Sequence, residues 1–412
     1  MDQTVFDRIS AQVDSHHPQA IALLRELVMV PTDTPPGNNA PHAERAAELL
    51  EAMGFEVERL AVPEALVREH GLQTVTNLVV RQRFGSGPTI ALNAHGDVVP
   101  PGEGWTRPPY KGVIENGRMY GRGVAVSKSD FATYAYALHA LRKLHEQGLV
   151  LNGTVELHFT YDEEMGGAIG PGWLLAHKRT RPDFAICAGF SYAIVTAHNG
   201  CLHLEITVHG TAAHAAQPET GIDALQASTG ILNALYASKS EFSNIRSGVS
   251  GIECPTLNVG LIEGGTNTNV VPGKVVFKLD RRMIPEENAA EVEANLRQLI
   301  EDTARKFPGV RVKIKRLLLA NAMQPLPGQE KLVAALKKNG ERVFGEPIPA
   351  TGTPLYTDAR LYVEAGVPTV LYGAGPRTIL ESGAKRADEH LVLEDLRKAT
   401  QVIANSVADF LA

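Results

Sequence analysis

Only three cysteines occur in 412 residues, Cys187, Cys201 and Cys254, too few and too scattered for a disulfide framework or a cysteine-rich zinc site. That usage fits a reducing, cytoplasmic setting. Positive charge is not in excess either. The formal net charge is -6, which gives no basic footprint and argues against nucleic-acid or membrane partners. No run of about 18 apolar residues exists to span a bilayer. The N-terminus, Met1-Asp2-Gln3-Thr4-Val5-Phe6-Asp7, has no basic start, apolar stretch or small-residue cleavage site, so no secretory signal is expected. What remains is an ordinary globular composition, 44% hydrophobic and 21% charged, at a length that predicts about two domains.

Apolar residues recur at helical spacing over 21–28, Pro31 and Pro35-Pro36-Gly37 break that helix, and a second is expected from about 42 to 53. Strands are expected at 56–60, 77–83, 89–93 and 155–160, with a long helix from about 127 to 144. The alternation predicts an α/β fold with a mixed, mainly parallel sheet. Between 202 and 316 the order becomes strand, helix, strand, strand, helix, strand, the βαββαβ order of a ferredoxin-like α+β domain. A helix from 331, a strand at 366–371 and the turn Gly373-Ala374-Gly375-Pro376 then restore the first texture. The expected division is a discontinuous catalytic domain, 1–196 and 318–412, with an inserted domain at 197–317.

Two strand ends carry the chemistry. The run Thr89-Ile90-Ala91-Leu92-Asn93 leads into Ala94-His95-Gly96-Asp97, and Val155-Glu156-Leu157-His158-Phe159-Thr160 leads into Tyr161-Asp162-Glu163-Glu164. Enzymes of the α/β class place reactive groups at strand ends. A histidine and an aspartate beside an acidic triplet make a divalent-metal or acid/base site.

With Tyr120-Gly121-Arg122-Gly123, Gly210-Thr211-Ala212-Ala213-His214, Gly264-Gly265-Thr266-Asn267-Thr268-Asn269-Val270-Val271-Pro272 and Thr357-Asp358-Ala359-Arg360, these motifs make the chain similar to one family. It is the co-catalytic zinc aminoacylase and carboxypeptidase G family, which includes acetylornithine deacetylase and succinyl-diaminopimelate desuccinylase. The resemblance covers essentially the whole chain and implies a zinc-peptidase-like catalytic domain, an inserted dimerisation or lid domain, and a homodimer. It implies that His95 binds one metal, that Asp97 orients its imidazole, that Glu163 is the general base and that Glu164 binds a second metal. It also implies that His214 reaches the partner subunit's active site to stabilise an oxyanion. Asn269 and Arg282 would contact a substrate carboxylate, and the loop holding Gly375 would line the substrate site.

The family's ligand set is broken at three positions. Val126 stands where the family has a bridging aspartate, no acid occurs near Gly189, and Lys385 stands where a histidine is expected. In one repair a single zinc or manganese ion persists at His95 and Glu164. Asp130, one helical turn after Val126, is then the preferred substitute ligand, with Asp162, Cys187, His198 and His390 as further candidates. In the other, the Lys385 ammonium fills the second metal's place and pairs with Glu164. Glu163, Lys128 and Lys385 then perform metal-free acid/base work, as in an isomerase or lyase, with a lysine pKa pushed down beside another cation. A third outcome is an inactive carboxylate-binding protein. The expected function is hydrolysis of an amide-type bond in a small N-acyl amino acid or related carboxylate, by metal-activated water with Glu163 as base. Arg122, set between two glycines, is expected to fix a turn.

Overall fold

Strand Thr89–His95 is buried from Ile90 to its end, as an unbroken apolar run requires when layers cover both faces of a sheet. It lies inside an eight-stranded sheet whose order is Val57–Ala61, Thr76–Arg83, Thr154–Thr160, Thr89–His95, Phe184–Cys187, Thr369–Leu371, Ile194–His198, Ala350–Thr353. The central pairs, from Thr154–Thr160 to Thr369–Leu371, run parallel, and the flanking pairs with Thr76–Arg83 and Ile194–His198 are antiparallel. The mixed sheet with a parallel centre is therefore present as expected. The computed structural model describes residues 2–412, which divide into two units, 2–196 with 325–351 and 357–412, and 197–324 with 352–356.

In the first unit, helix Lys128–Glu146 is buried along nearly its whole length. Helices Gln3–Ser15, His17–Val28 and Leu393–Leu411 pack against it and remove its outer face from water. Leu396, Ala399, Ile403, Val407 and Leu411, at three- and four-residue steps, supply one apolar stripe of that cover. The ends of the parallel strands are left for loops, and the site is built there.

The second unit has a four-stranded antiparallel sheet in the order Thr256–Gly264, Lys274–Met283, Gly200–His209, Arg311–Ala320. Leu202, Leu204, Ile206 and Val208 alternate onto one face and join Val275, Phe277 and Leu279 beneath helices Ala224–Glu241 and Ala289–Ala304. Asp223 and Asn288 start those helices by accepting the first free backbone N–H groups. This is the split βαββαβ arrangement. Its last strand reaches Ala320, past the expected boundary at 317, because the pairing with Gly200–His209 continues to Cys201. Among the described residues no helix is long and apolar enough to cross a membrane.

Candidate active site

His95 closes its strand at the carboxyl edge of the parallel sheet, where its backbone N–H and carbonyl both bond the Ser127 hydroxyl at 2.9 Å. Its Nδ1 lies 3.0 Å from the Asp97 carbonyl and 3.4 Å from Asp97 Oδ1. Asp97 is fully buried, and its Oδ2 accepts the Glu164 N–H at 3.0 Å, tying the two strand-end loops together. His95 Nε2 faces Glu163 Oε2 at 3.8 Å.

These groups sit in an electrostatic balance dominated by burial. Burial pushes the Glu163 carboxyl up to about 8, with the His95 charge pulling in the opposite direction. Burial alone would lower the His95 imidazolium, but Glu163, Asp97 and Asp358 outweigh it and hold it up at about 10. Asp358 is likewise raised, to about 6, first by burial. Asp358 is thus an acid of the site to which the sequence assigned no role, although the motif Thr357-Asp358-Ala359-Arg360 had marked its segment. Arg360 donates to the Gly166 carbonyl at 2.7 Å and steadies the loop after Glu163.

Lys385 Nζ lies 2.7 Å from Glu164 Oε2, so the pairing expected of a lysine in a metal's place is formed. Its pKa moves the other way from expectation. Burial lowers it, but Glu164 and Glu163 outweigh that and raise it. Lys128 is far removed from that role: its buried ammonium donates to the carbonyls of Val30 at 2.9 Å and Leu27 at 3.3 Å, closing the end of helix His17–Val28. Burial lowers it to about 7, against the pull of Asp33, Glu389 and Asp97.

Asp130 also departs from its expected place as a metal ligand. Its carboxylate accepts the N–H of Ala374 at 2.7 Å and that of Gly189, pinning two loops to the first turn of helix Lys128–Glu146. Gly375 lies in the loop so held, donating to the Gly189 carbonyl at 2.9 Å. The missing acid at 189 has a steric reason, since a Cβ there would stand 2.8 Å from the Leu371–Tyr372 backbone. Arg122 fixes its turn as expected, donating to the Pro101 carbonyl at 3.0 Å, but it also forms a buried 2.5 Å ion pair with Glu389. Among the described residues, no three His, Cys, Asp or Glu ligand atoms that include His95, Glu164 or Asp130 lie within 4.8 Å of one another. With Glu164 held by an ammonium, this donor set does not fit a pair of divalent ions.

His214, Asn269 and Arg282 belong to the second unit. His214 and Asn269 are neighbours, because the Ala215 N–H donates to the Asn269 carbonyl at 2.9 Å and His214 pairs with Val270. Arg282 is already engaged with a carboxylate of this chain, its Nε and Nη2 each 2.9 Å from Asp280 oxygens.

An α/β unit with reactive groups at its strand ends and a ferredoxin-like second unit define a class of hydrolase, and comparison with known proteins gives the family. Residues 91–409 match the model described as Peptidase family M20/M25/M40, and the chain belongs to that family, whose members hydrolyse amide-type bonds. It is 33% identical over 300 residues to succinyl-diaminopimelate desuccinylase of Gluconobacter oxydans (strain 621H), covering 69% of this chain and 72% of that protein. It is 26% identical over 413 residues to acetylornithine deacetylase of Proteus mirabilis (strain HI4320), covering 95% and 97%. The crystal structure of an M20 family metallo-carboxypeptidase, Sso-CP2 from Sulfolobus solfataricus, superposes with a TM-score of 0.78 at 18% identity, covering 95% of this chain and 99% of that one. The family is one of metal-dependent hydrolases, and neither curated relative is an isomerase, a lyase or a binding protein.

Proposed function

We propose that this chain hydrolyses the amide-type bond of a small N-acyl amino acid or related carboxylate, with Glu163 as the base that takes a proton from water. The observation that carries this reading is the buried Glu163 carboxylate at a strand end, 3.8 Å from His95 Nε2. The desuccinylase and deacetylase relatives support the substrate class. As the water oxygen bonds to the carbonyl carbon, its proton passes to Glu163. When the C–N bond breaks, Glu163 returns that proton to the departing nitrogen, and the second water proton passes from the new carboxylic acid to the amine, leaving a carboxylate and an ammonium. Asp97 holds the His95 ring, and Lys385 neutralises Glu164. In the second unit, His214 would stabilise the oxyanion in the partner subunit's site, while Asn269 and Arg282 hold the substrate carboxylate. For Arg282 this requires release from Asp280.

The single zinc or manganese ion expected from the sequence would have His95 as its one histidine, with Glu164 and Asp130 already engaged. The reading therefore assigns positive charge at the site to His95 and Lys385. We also propose a cytoplasmic homodimer without nucleic-acid or membrane partners. Cysteine usage and net charge support the setting. Leu261 and Ile262 on the edge strand and Tyr236 on helix Ala224–Glu241, all exposed apolar residues, support the dimer.

The test is Glu163→Gln on a panel of N-succinyl and N-acetyl amino acids. Turnover should fall by about 100-fold or more with the circular dichroism spectrum unchanged. Turnover equal to wild type would remove Glu163 as the base. Activity and metal content measured before and after a chelator address the ion separately. Unchanged activity leaves the positive charge to His95 and Lys385, whereas activity lost together with one ion per chain restores the single-ion form.

A further inference from the structure

The sheet of the second unit gathers three donor atoms that the proposed reaction does not use. Cys201 and His203 are two residues apart on strand Gly200–His209, so their side chains leave the same face. Asp280 lies opposite His203 in the antiparallel register with Lys274–Met283. Cys201 Sγ is 3.2 Å from His203 Nε2, His203 Nε2 is 3.1 Å from Asp280 Oδ2, and Sγ is 3.9 Å from Asp280 Oδ1. Cys201 is buried, while His203 and Asp280 are half-buried and reach solvent. Among the described residues this is the one group of three such ligand atoms within 4.8 Å of one another.

The imidazole decides between two kinds of chemistry. A cysteine–histidine–aspartate relay needs one ring nitrogen for the thiol and the other for the carboxylate. Here both partners meet Nε2, and one nitrogen cannot serve two partners in a relay. Three donor atoms gathered within 4.8 Å of one another are instead the arrangement a bound cation requires. Zinc bonds of about 2.3 Å to sulfur and about 2.0–2.2 Å to nitrogen and oxygen give tetrahedral edges of roughly 3.3–3.7 Å; the Sγ–Nε2 and Nε2–Oδ2 edges, 3.2 and 3.1 Å, lie just below that range, and all three donors fall within 4.8 Å of one another. Thiolate and imidazole select a zinc-class ion over calcium or magnesium. With no substrate bound, Arg282 holds the Asp280 carboxylate through Nε and Nη2 at 2.9 Å each, as outer partners of ligating carboxylates do, and the ion's three donors stay in place when Arg282 turns to substrate. The pairing leaves lone pairs free, because a carboxylate offers about four acceptor sites.

We infer that Cys201, His203 and Asp280 form a three-donor site for a divalent ion of the zinc class, with solvent or a small ligand completing four-coordination. Binding replaces the thiol proton, which is released to solvent. This site lies wholly within the second unit and goes beyond the proposed hydrolysis.

Cobalt(II) is the probe, because a thiolate ligand adds a sulfur-to-metal charge-transfer band in the near ultraviolet that oxygen and nitrogen donors do not give. The metal-free full-length protein titrated with cobalt(II) should develop that band at one equivalent, together with the intense visible bands of a tetrahedral ion, and zinc(II) should abolish both. Cys201→Ser should lose the charge-transfer band, and His203→Gln and Asp280→Asn, at half-buried positions that tolerate exchange, should weaken cobalt affinity at least tenfold. His95→Ala and Cys187→Ser should leave the band intact, which separates this site from the catalytic reading. No charge-transfer band in the wild-type protein, or a band that persists in Cys201→Ser, would overturn the assignment.

Discussion

Burial can keep an imidazole neutral, and His139 on helix Lys128–Glu146 is 9% exposed. Burial, then His16 and Arg142, push its pKa down to about 4. In the unfolded chain it would bind a proton near 6.5, so between these values the unfolded state binds more protons and the fold loses stability as pH falls. The sign is that of any group whose charged form the fold disfavours. Replacing His139 with phenylalanine keeps the ring contacts to His16 and Phe55 and removes the titration. The stability difference between wild type and His139→Phe should shift by roughly 2–3 kcal/mol in the variant's favour from about pH 7.5 to about pH 4.5. Urea unfolding at the two pH values measures it, and parallel curves would mean that His139 carries a proton in the fold. The two lysines near the site show the same rule with opposite outcomes: Lys128 has only carbonyl partners at hydrogen-bond distance and is lowered, whereas Lys385 has Glu164 and is raised.

At the scale of elements, helix Lys128–Glu146 is locked to the Gly373–Pro376 loop by one aspartate. Gly373 lies so close to Asp130 that a Cβ at 373 would overlap the carboxylate. Gly373→Ala should therefore cost about 1–3 kcal/mol, read as a lower urea midpoint at unchanged slope. An unchanged midpoint would show that the loop yields without loosening Asp130. The longer strands and the His95, Asp97, Glu163 and Glu164 segments are legible in the sequence because each is a local apolar run ending in polar residues, whereas the short sheet strands Phe184–Cys187, Ile194–His198 and Ala350–Thr353 are not. Asp358, Ser127 and Glu389 were not, because their roles arise from partners far away in sequence: Ser127 bonds a strand end 32 residues back and Glu389 pairs with an arginine 267 residues away. Glu389 in particular reads as part of a solvated charged loop, Lys385-Arg386-Ala387-Asp388-Glu389, until the fold buries it against Arg122. Asp130 was misjudged for the converse reason. Helical spacing from Val126 does not apply, because the helix begins only at Lys128, and the carboxylate is taken up by backbone N–H groups that spacing cannot reveal. No helix is expected from the sequence at Gln3–Ser15 or Leu393–Leu411, whose packing covers Lys128–Glu146.

For the whole molecule, the open question is whether one chain makes a complete enzyme. The edge strand Thr256–Gly264 leaves Ile262 50% exposed and helix Ala224–Glu241 leaves Tyr236 48% exposed, an unpaired edge that a second copy would cover. Sedimentation velocity should find twice the chain mass for the wild type, and Ile262→Glu should shift it to the single-chain mass with loss of turnover. If His214 completes the partner subunit's site, the defects of Glu163→Gln and His214→Ala fall in the same site of a mixed dimer. One site then joins a mutant Glu163 position to a mutant His214 position, and the other joins wild-type Glu163 to wild-type His214. Each variant alone should be inactive, and subunit exchange between the two should restore activity to about half that of wild type per mixed dimer, the fraction of intact sites. Restoration cannot occur if Glu163 and His214 of one chain serve the same site, because every site in the mixture would then carry a defect. A monomeric wild type with full activity, or an inactive mixture of exchanging dimers, would remove His214 from the partner's chemistry.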